Sequence, residues 1–248
     1  METLMRRIFK LNELTGYHLQ AKDGEIGKIL QVYFDDQQWV TRYFVVRTGN
    51  WLLGQEVLIV PSTVTGIDVE NQHLIVDLSL EQIKNSPPVN TEVPVSRHYE
   101  EQYYAYYGWQ PYWSAGSLPT AIGPLPAIYT PVDVEKPEKP EHPNLRSSKE
   151  VSRYHLHAED DQVGRVADFL LEEETWSIAY LEIDTGSWFA SKKVLISPSW
   201  IQKVDWAKRE VSVNVVADLI KSAPEYDAAK RVSSDYQSAL HKHYERRL

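Results

Sequence analysis

The chain repeats itself. Shifted by 137 residues, positions 14–107 lie on positions 151–244 without a gap, and 25 of the 94 pairs are identical. "YHLQAKDGEIGKI" pairs with "YHLHAEDDQVGRV", and "YFVVRTGNWLLGQEVLIVPS" with "YLEIDTGSWFASKKVLISPS". A period this long, present only twice, marks a duplicated domain and not a solenoid. Whatever one copy folds into, the other must fold into as well.

Between the copies the composition changes. Residues 111–143 hold 8 prolines in 33 positions and end in "VEKPEKPEHP". Proline at that density favours an extended, semi-rigid spacer. The expected organisation is therefore a first domain over 1–113, a proline-rich linker over 114–147 and a second domain over 148–248.

Inside each copy the period is near two. Val40, Arg42, Phe44 and Val46 share one strand face, with Thr41, Tyr43, Val45 and Arg47 on the other. "ILQVYF", "VLIV" and "LIVDL" in the first copy, and "VLIS" and "VSVNVV" in the second, are β-rich runs punctuated by Asp23-Gly24, Thr48-Gly49 and Pro61-Ser62. Some six short strands per copy without a long intervening helix predict a mainly β protein of two small antiparallel barrels. A short C-terminal helix should follow each barrel. Ser96 and Ser233 are placed to cap these helices, and Tyr99, Tyr103, Tyr106 and Tyr107 recur at helical spacing.

The stretch "EIDTGSW", 182–188, contains Asp-Thr-Gly-Ser, the nucleophile loop of aspartic proteases. That chemistry needs two carboxylates sharing one proton, one from each lobe. The repeat places Arg47 opposite Asp184, and an arginine would hold Asp184 ionised. What the copies share is Thr48/Thr185, Gly49/Gly186 and Trp51/Trp188, which fits a structural hairpin turn. No catalytic residue is assigned, and the chain is read as not an enzyme.

Bulk charge narrows the partners. The net charge is −9, and acidic groups outnumber basic ones in each of three segments: 12 to 8 over 1–92, 6 to 4 over 93–147 and 17 to 14 over 148–248. With no basic footprint, nucleic acid is not an expected partner. The absence of cysteine excludes disulfides and thiolate metal sites. No apolar run reaches the roughly 20 residues of a membrane helix, so a cytoplasmic protein is expected, with a peripheral place on a membrane complex compatible.

In their order, Gly27/Gly164, Trp39/Trp176, the "TGxW" turns, "VLIVPS/VLISPS", "QIKNSPPV/LIKSAPEY" and the tyrosine helix ending "YYGWQPYW" resemble the PRC-barrel superfamily. That superfamily includes the cytoplasmic domain of the photosynthetic reaction-centre H subunit and the C-terminal half of a ribosome maturation factor. The resemblance covers both copies. It implies docking and assembly modules with no shared catalytic constellation, and it is nearest to stand-alone tandem PRC-barrel proteins.

Other groups have plain readings. His155 and His157 share a strand face, yet no third ligand follows, so no metal or cofactor is expected. His241 and His243, two apart on a helix, cannot clamp one ion. The acidic runs Asp35-Asp36 and Glu172-Glu173-Glu174 read as solvated turns. In "YYAYYGWQPYW", 103–113, seven of eleven residues are aromatic, and Trp109, Tyr112 and Trp113 have no counterpart in the second copy. Aromatic residues anchor interfaces, so these three, with Trp51 and Trp188, are the candidate partner-binding residues; packing back onto the barrel is the competing expectation. The preferred reading is a protein-interaction or assembly module, self-association included. The alternatives are a relative of the reaction-centre H subunit peripheral to an electron-transfer complex, and a ligand or enzymatic cleft between the barrels with His18, His155, Asp184 and Arg47 as suspects.

Overall fold

Alternating apolar residues in the first copy become β1 (Ile8–Lys10), β2 (His18–Ala21), β3 (Gly24–Asp35), β4 (Val40–Thr48), β5 (Glu56–Ile59), β6 (Val64–Asp68) and β7 (His73–Val76), with helices α1 (Leu11–Leu14), α2 (Leu80–Lys84) and α3 (Arg97–Tyr107). The second copy repeats them as β8 (Leu145–Ser147), α4 (Ser148–Val151), β9 (His155–His157), β10 (Gln162–Glu172), β11 (Ile178–Asp184), β12 (Lys193–Ile196), β13 (Ile201–Asp205), β14 (Glu210–Val213), α5 (Ala217–Lys221) and α6 (Ser234–Tyr244). The computed structural model describes residues 7–90, 95–113, 144–186 and 192–245. Most of the expected linker, 114–143, lies outside them, as do Ser187 and Trp188.

The strands form two seven-stranded sheets. One runs β5-β4-β3-β2-β7-β6 with β8 on β3, and the other β12-β11-β10-β9-β14-β13 with β1 on β10. Two expectations need correction. The sheets are mixed, since β2 pairs with β7 and β9 with β14 in parallel. Among the described residues neither sheet closes into a barrel: β5 and β6 end one order, β12 and β13 the other. Both openings fall at a proline-led 3₁₀ turn, Pro61–Thr63 and Pro198–Trp200. Proline lacks the N–H that a continuing ladder requires.

Two compact units make up the chain. One holds residues 1–17, 31–43 and 146–248; the other holds 18–30 and 44–145. In the first, β1 pairs antiparallel with β10, Ile8 opposite Glu172 and Lys10 opposite Leu170. The corresponding strand of the second copy, β8, includes the last three residues of the expected linker and lies against β3. The N-terminal strand of each repeat thus serves the sheet of the other. Ser148 Oγ accepts from Val32 N at 3.1 Å, and Ser147 Oγ donates to Gln31 Oε1 at 2.5 Å.

The core of this unit includes Phe9, Leu14, Val32, Phe34, Phe169, Leu170 and Leu171, with the Phe34 and Phe169 rings 5.7 Å apart. Each such side chain contributes roughly 1.5–3 kcal/mol by leaving water. Trp39 and Trp176 close the turns that follow β3 and β10, at positive φ, 54° and 56°. Their turns join: Thr41 N donates to Trp176 O and Ile178 N to Trp39 O. The acidic runs at these turns are not simply solvated. Asp35 is buried, because its carboxylate turns back to accept from Gln37 N and Gln38 N, and Asp36 pairs with Arg146 at 3.0 Å.

In the second unit Leu19, Ile26, Ile29, Phe44, Leu58 and Leu74 form the core. Ser96 caps α3 by accepting from Tyr99 N. Tyr103, fully buried, donates its hydroxyl to Leu58 O on β5 at 2.6 Å.

Candidate functional site

The shared Thr-Gly-x-Trp turns come first. Thr48 Oγ1 donates to Gln55 O at 2.9 Å, and Thr185 Oγ1 to Lys192 O at 2.6 Å, so each threonine ties the two ends of its turn. Gly49 is in extended backbone, whereas Gly186 takes a left-handed φ of 58°. Beneath the turns pass Gly27 and Gly164, both at φ 152°. A Cβ there would lie 2.0 Å from Arg47 O in the first copy and 2.4 Å from Asp184 O in the second. Only glycine allows so close an approach. Trp51 then covers the junction, donating Nε1–H to Ile26 O at 2.8 Å.

Asp184 belongs to this turn. Its Oδ1 accepts from Gly186 N at 2.8 Å, as a local cap does. With His155, Gln162, Gly164, Arg165, Thr185 and Gly186 it lines a small depression of about 190 Å³. The repeat partner Arg47 sits in an ion pair with Glu56 at 2.9 Å. The histidines are engaged separately: His18 with Glu25 at 2.7 Å, His155 with Gln162 at 2.8 Å, His157 with Glu210 at 3.6 Å, His241 with Tyr180 and His243 with Leu219 O. Among the described residues no three His, Cys, Asp or Glu side chains are grouped to hold a metal ion.

Trp109, Tyr112 and Trp113 pack back onto their helix. Gly108, at φ 67°, reverses the chain, and Trp109 N donates to Tyr104 O. The Trp109 ring then stacks on Tyr107 at 4.2 Å, nearly parallel. Tyr112 donates its hydroxyl to Glu100 Oε1 at 3.0 Å, and the Arg97 guanidinium lies 3.7 Å over the Trp113 ring and 3.3 Å from Glu100. Glu100 is fully buried, whereas the three tail residues keep part of their surface in solvent. The result is a packed aromatic and arginine face at the end of α3.

One cluster is not foreshadowed by any motif. Asp168 on β10 and Glu182 on β11 are register partners, 3% and 1% exposed. Lys10 of β1 reaches Glu182 Oε2 at 3.1 Å, and Lys193 of β12 reaches Oε1 at 2.5 Å. Asp168 Oδ1 accepts from Phe169 N at 2.8 Å and Asn12 N at 3.2 Å. Burial pushes the Asp168 carboxyl up to about 6, and the Glu182 carboxylate holds the Lys193 ammonium above its usual value. Burial followed by the charge of Glu182 raises the nearby Tyr226 phenol as well. The repeat aligns Asp168, Glu182 and Lys193 with Gln31, Val45 and Glu56 of the first copy, and Lys10 with Ser147 of the second. The asymmetry between copies was the available signal: an acid stands where its repeat partner is valine.

An open groove of about 510 Å³ lies beside the Trp39 turn, lined among others by Asp36, Trp39, Ile178, Pro198, Ile201 and Lys203.

Both copies thus present the same chain order of strands, glycine approach, Thr-Gly turn and proline-led turn. The PRC-barrel domain family matches residues 7–83 and 156–220, more than half of the sequence. The chain belongs to the PRC-barrel domain family. An uncharacterized protein of Deinococcus radiodurans is 37% identical over 75 residues, 30% of this chain and 27% of that protein. The chain therefore spans about a quarter of the length of the curated relative it matches.

For a PRC-barrel protein, the distribution of the candidates is informative. The turns and the Asp168–Glu182 cluster fall inside the matched segments, while Trp109, Tyr112, Trp113 and all of α3 fall outside them. No helix among the described residues is long and apolar enough to cross a membrane.

Proposed function

We propose that this PRC-barrel protein is a non-enzymatic interaction and assembly module acting in the cytoplasm on a protein partner. The observation that carries the reading is the α3 face. Trp109, Tyr112 and Trp113 are held by Tyr107, Glu100 and Arg97 while keeping solvent-facing surface. Rigid aromatic and arginine side chains lose little entropy on binding and dominate interface energetics. The face also lies outside the segments common to the family, where a feature particular to this protein belongs.

The non-enzymatic part of the reading rests on how the ionisable groups are used. Asp184 caps its turn, Arg47 pairs with Glu56, and Glu182 is shared by two lysines. The net charge of −9 argues against nucleic acid as the partner. Self-association through the same face is a form of this function.

The test is a crosslinked pull-down from soluble and membrane fractions, comparing the intact protein with a Trp109→Ala/Tyr112→Ala/Trp113→Ala variant of verified fold. A stoichiometric protein lost in the variant supports the reading. Enrichment of nothing by either form, together with an unchanged mass in solution, overturns it.

A further inference from the structure

The β4–β5 turn offers a second surface, of different chemistry. Residues 49–54 read Gly-Asn-Trp-Leu-Leu-Gly. Leu53 stands at the apex, 89% exposed, in a left-handed conformation at φ 54°. A leucine there carries two penalties at once. The left-handed backbone costs on the order of 1 kcal/mol relative to glycine, and a whole apolar side chain faces water.

The turn is nonetheless firmly built. Leu53 N donates to Asn50 O, Gly54 N to Gly49 O and Gln55 N to Leu52 O, and below them Thr48 N is bonded to Gln55 O. Trp51, half-buried, is pinned to Ile26 O. Leu52 is half-exposed beside Leu53. The apex is therefore a rigid apolar knob with a tryptophan at its base.

We propose that this apex inserts into the interfacial layer of a phospholipid bilayer. Two observations select a lipid surface over a shaped protein pocket. The repeat aligns Trp51-Leu52-Leu53 with Trp188-Phe189-Ala190, so apolar character is kept across the copies while side-chain shape is not. A lipid layer accepts any apolar side chain, whereas a pocket complementary to leucine would not accept phenylalanine at one position and alanine at the next. Second, the charges at the root of the turn, Arg47 and Glu56, neutralise each other at 2.9 Å. The contact is accordingly apolar, with no preference for acidic headgroups. Tryptophan is the side chain that settles at the boundary between headgroups and chains.

The experiment is flotation of the full chain with phosphatidylcholine vesicles, repeated with vesicles containing phosphatidylglycerol. The intact protein is expected to float with both, with little change between about 0.05 and about 0.5 M salt. Leu52→Asp/Leu53→Asp should abolish flotation. Leu53→Gly should reduce the bound fraction about tenfold while raising the thermal midpoint, since glycine relieves the left-handed backbone. A more stable variant that binds less cannot be explained by unfolding. The proposal is overturned if the intact chain floats with neither vesicle, if flotation requires the acidic lipid, or if the leucine variants float as well as the intact chain. A protein partner captured through the same leucines, without flotation, overturns it too.

Discussion

Asp168 and Glu182 face each other across the β10–β11 ladder with both carboxylates all but excluded from water. Two lysines from different strands answer one of these acids, and backbone N–H groups answer the other. The arrangement raises the pKa of Asp168, Lys193 and Tyr226.

Stability should fall as pH rises through the window between about 4 and about 6. Burial pushes the Asp168 carboxyl up to about 6 in the folded chain, from an ordinary value of 3.8. Below 3.8 both states are protonated and the group contributes nothing. Between the two values the unfolded chain has released its proton and the folded chain has not, so stability declines, reaching its full loss above 6. Asp168→Asn removes this dependence. Denaturant unfolding at both ends of the window should show the variant gaining roughly 1–3 kcal/mol on the intact protein at the higher pH relative to the lower.

Lys10 and Glu182 should be strongly coupled. Removing the lysine leaves a buried carboxylate with Lys193 as its remaining cation, so Lys10→Met should cost about 3 kcal/mol. Glu182→Val copies the first repeat, where Val45 stands, and Lys10→Met/Glu182→Val should return to within about 1 kcal/mol of the intact protein. A double-mutant cycle by urea unfolding measures this. Simple additivity of the two single costs would contradict it.

Gly27→Ala and Gly164→Ala should each destabilise by on the order of 3 kcal/mol, because the new methyl would meet a backbone carbonyl at 2.0 and 2.4 Å. Gly66→Ala is the control. Its Cβ would meet only the Ile75 side chain, at 3.8 Å, and the unfolding free energy should stay within about 0.5 kcal/mol of the intact protein.

At the end of α3, Glu100→Ala removes the acceptor of the Tyr112 hydroxyl and the buried partner of Arg97. We expect a loss of roughly 2 kcal/mol and faster proteolysis after Tyr112, read by limited digestion. An unchanged digestion pattern would show that the aromatic face is held by ring packing alone.

The repeat, the strand-rich pattern and the Thr-Gly-x-Trp turns were legible from residue order, because hairpin turns and two-residue alternation are local. Gly27 and Gly164 were legible only as a recurring pair: the carbonyls that exclude a side chain there come from residues twenty places away. The direction of Trp109, Tyr112 and Trp113 was open until the left-handed Gly108 turned them back onto α3.

Amino-acid order alone determined that the chain carries two like copies, that both are rich in strands, and that the Asp-Thr-Gly stretch lacks its acidic counterpart. Each of these depends on neighbours in sequence or on comparison of the copies. Only tertiary structure decided that β2 and β9 take parallel partners, that the sheets stay open among the described residues, and that β1 and β8 serve the opposite repeat. Three residues such as Ile8–Lys10 are too short to carry a period, and alternation reads the same for parallel and antiparallel pairing. The burial of Asp168 and Glu182 was settled there too, since a charge becomes tolerable inside a sheet only when distant strands bring Lys10 and Lys193 to meet it.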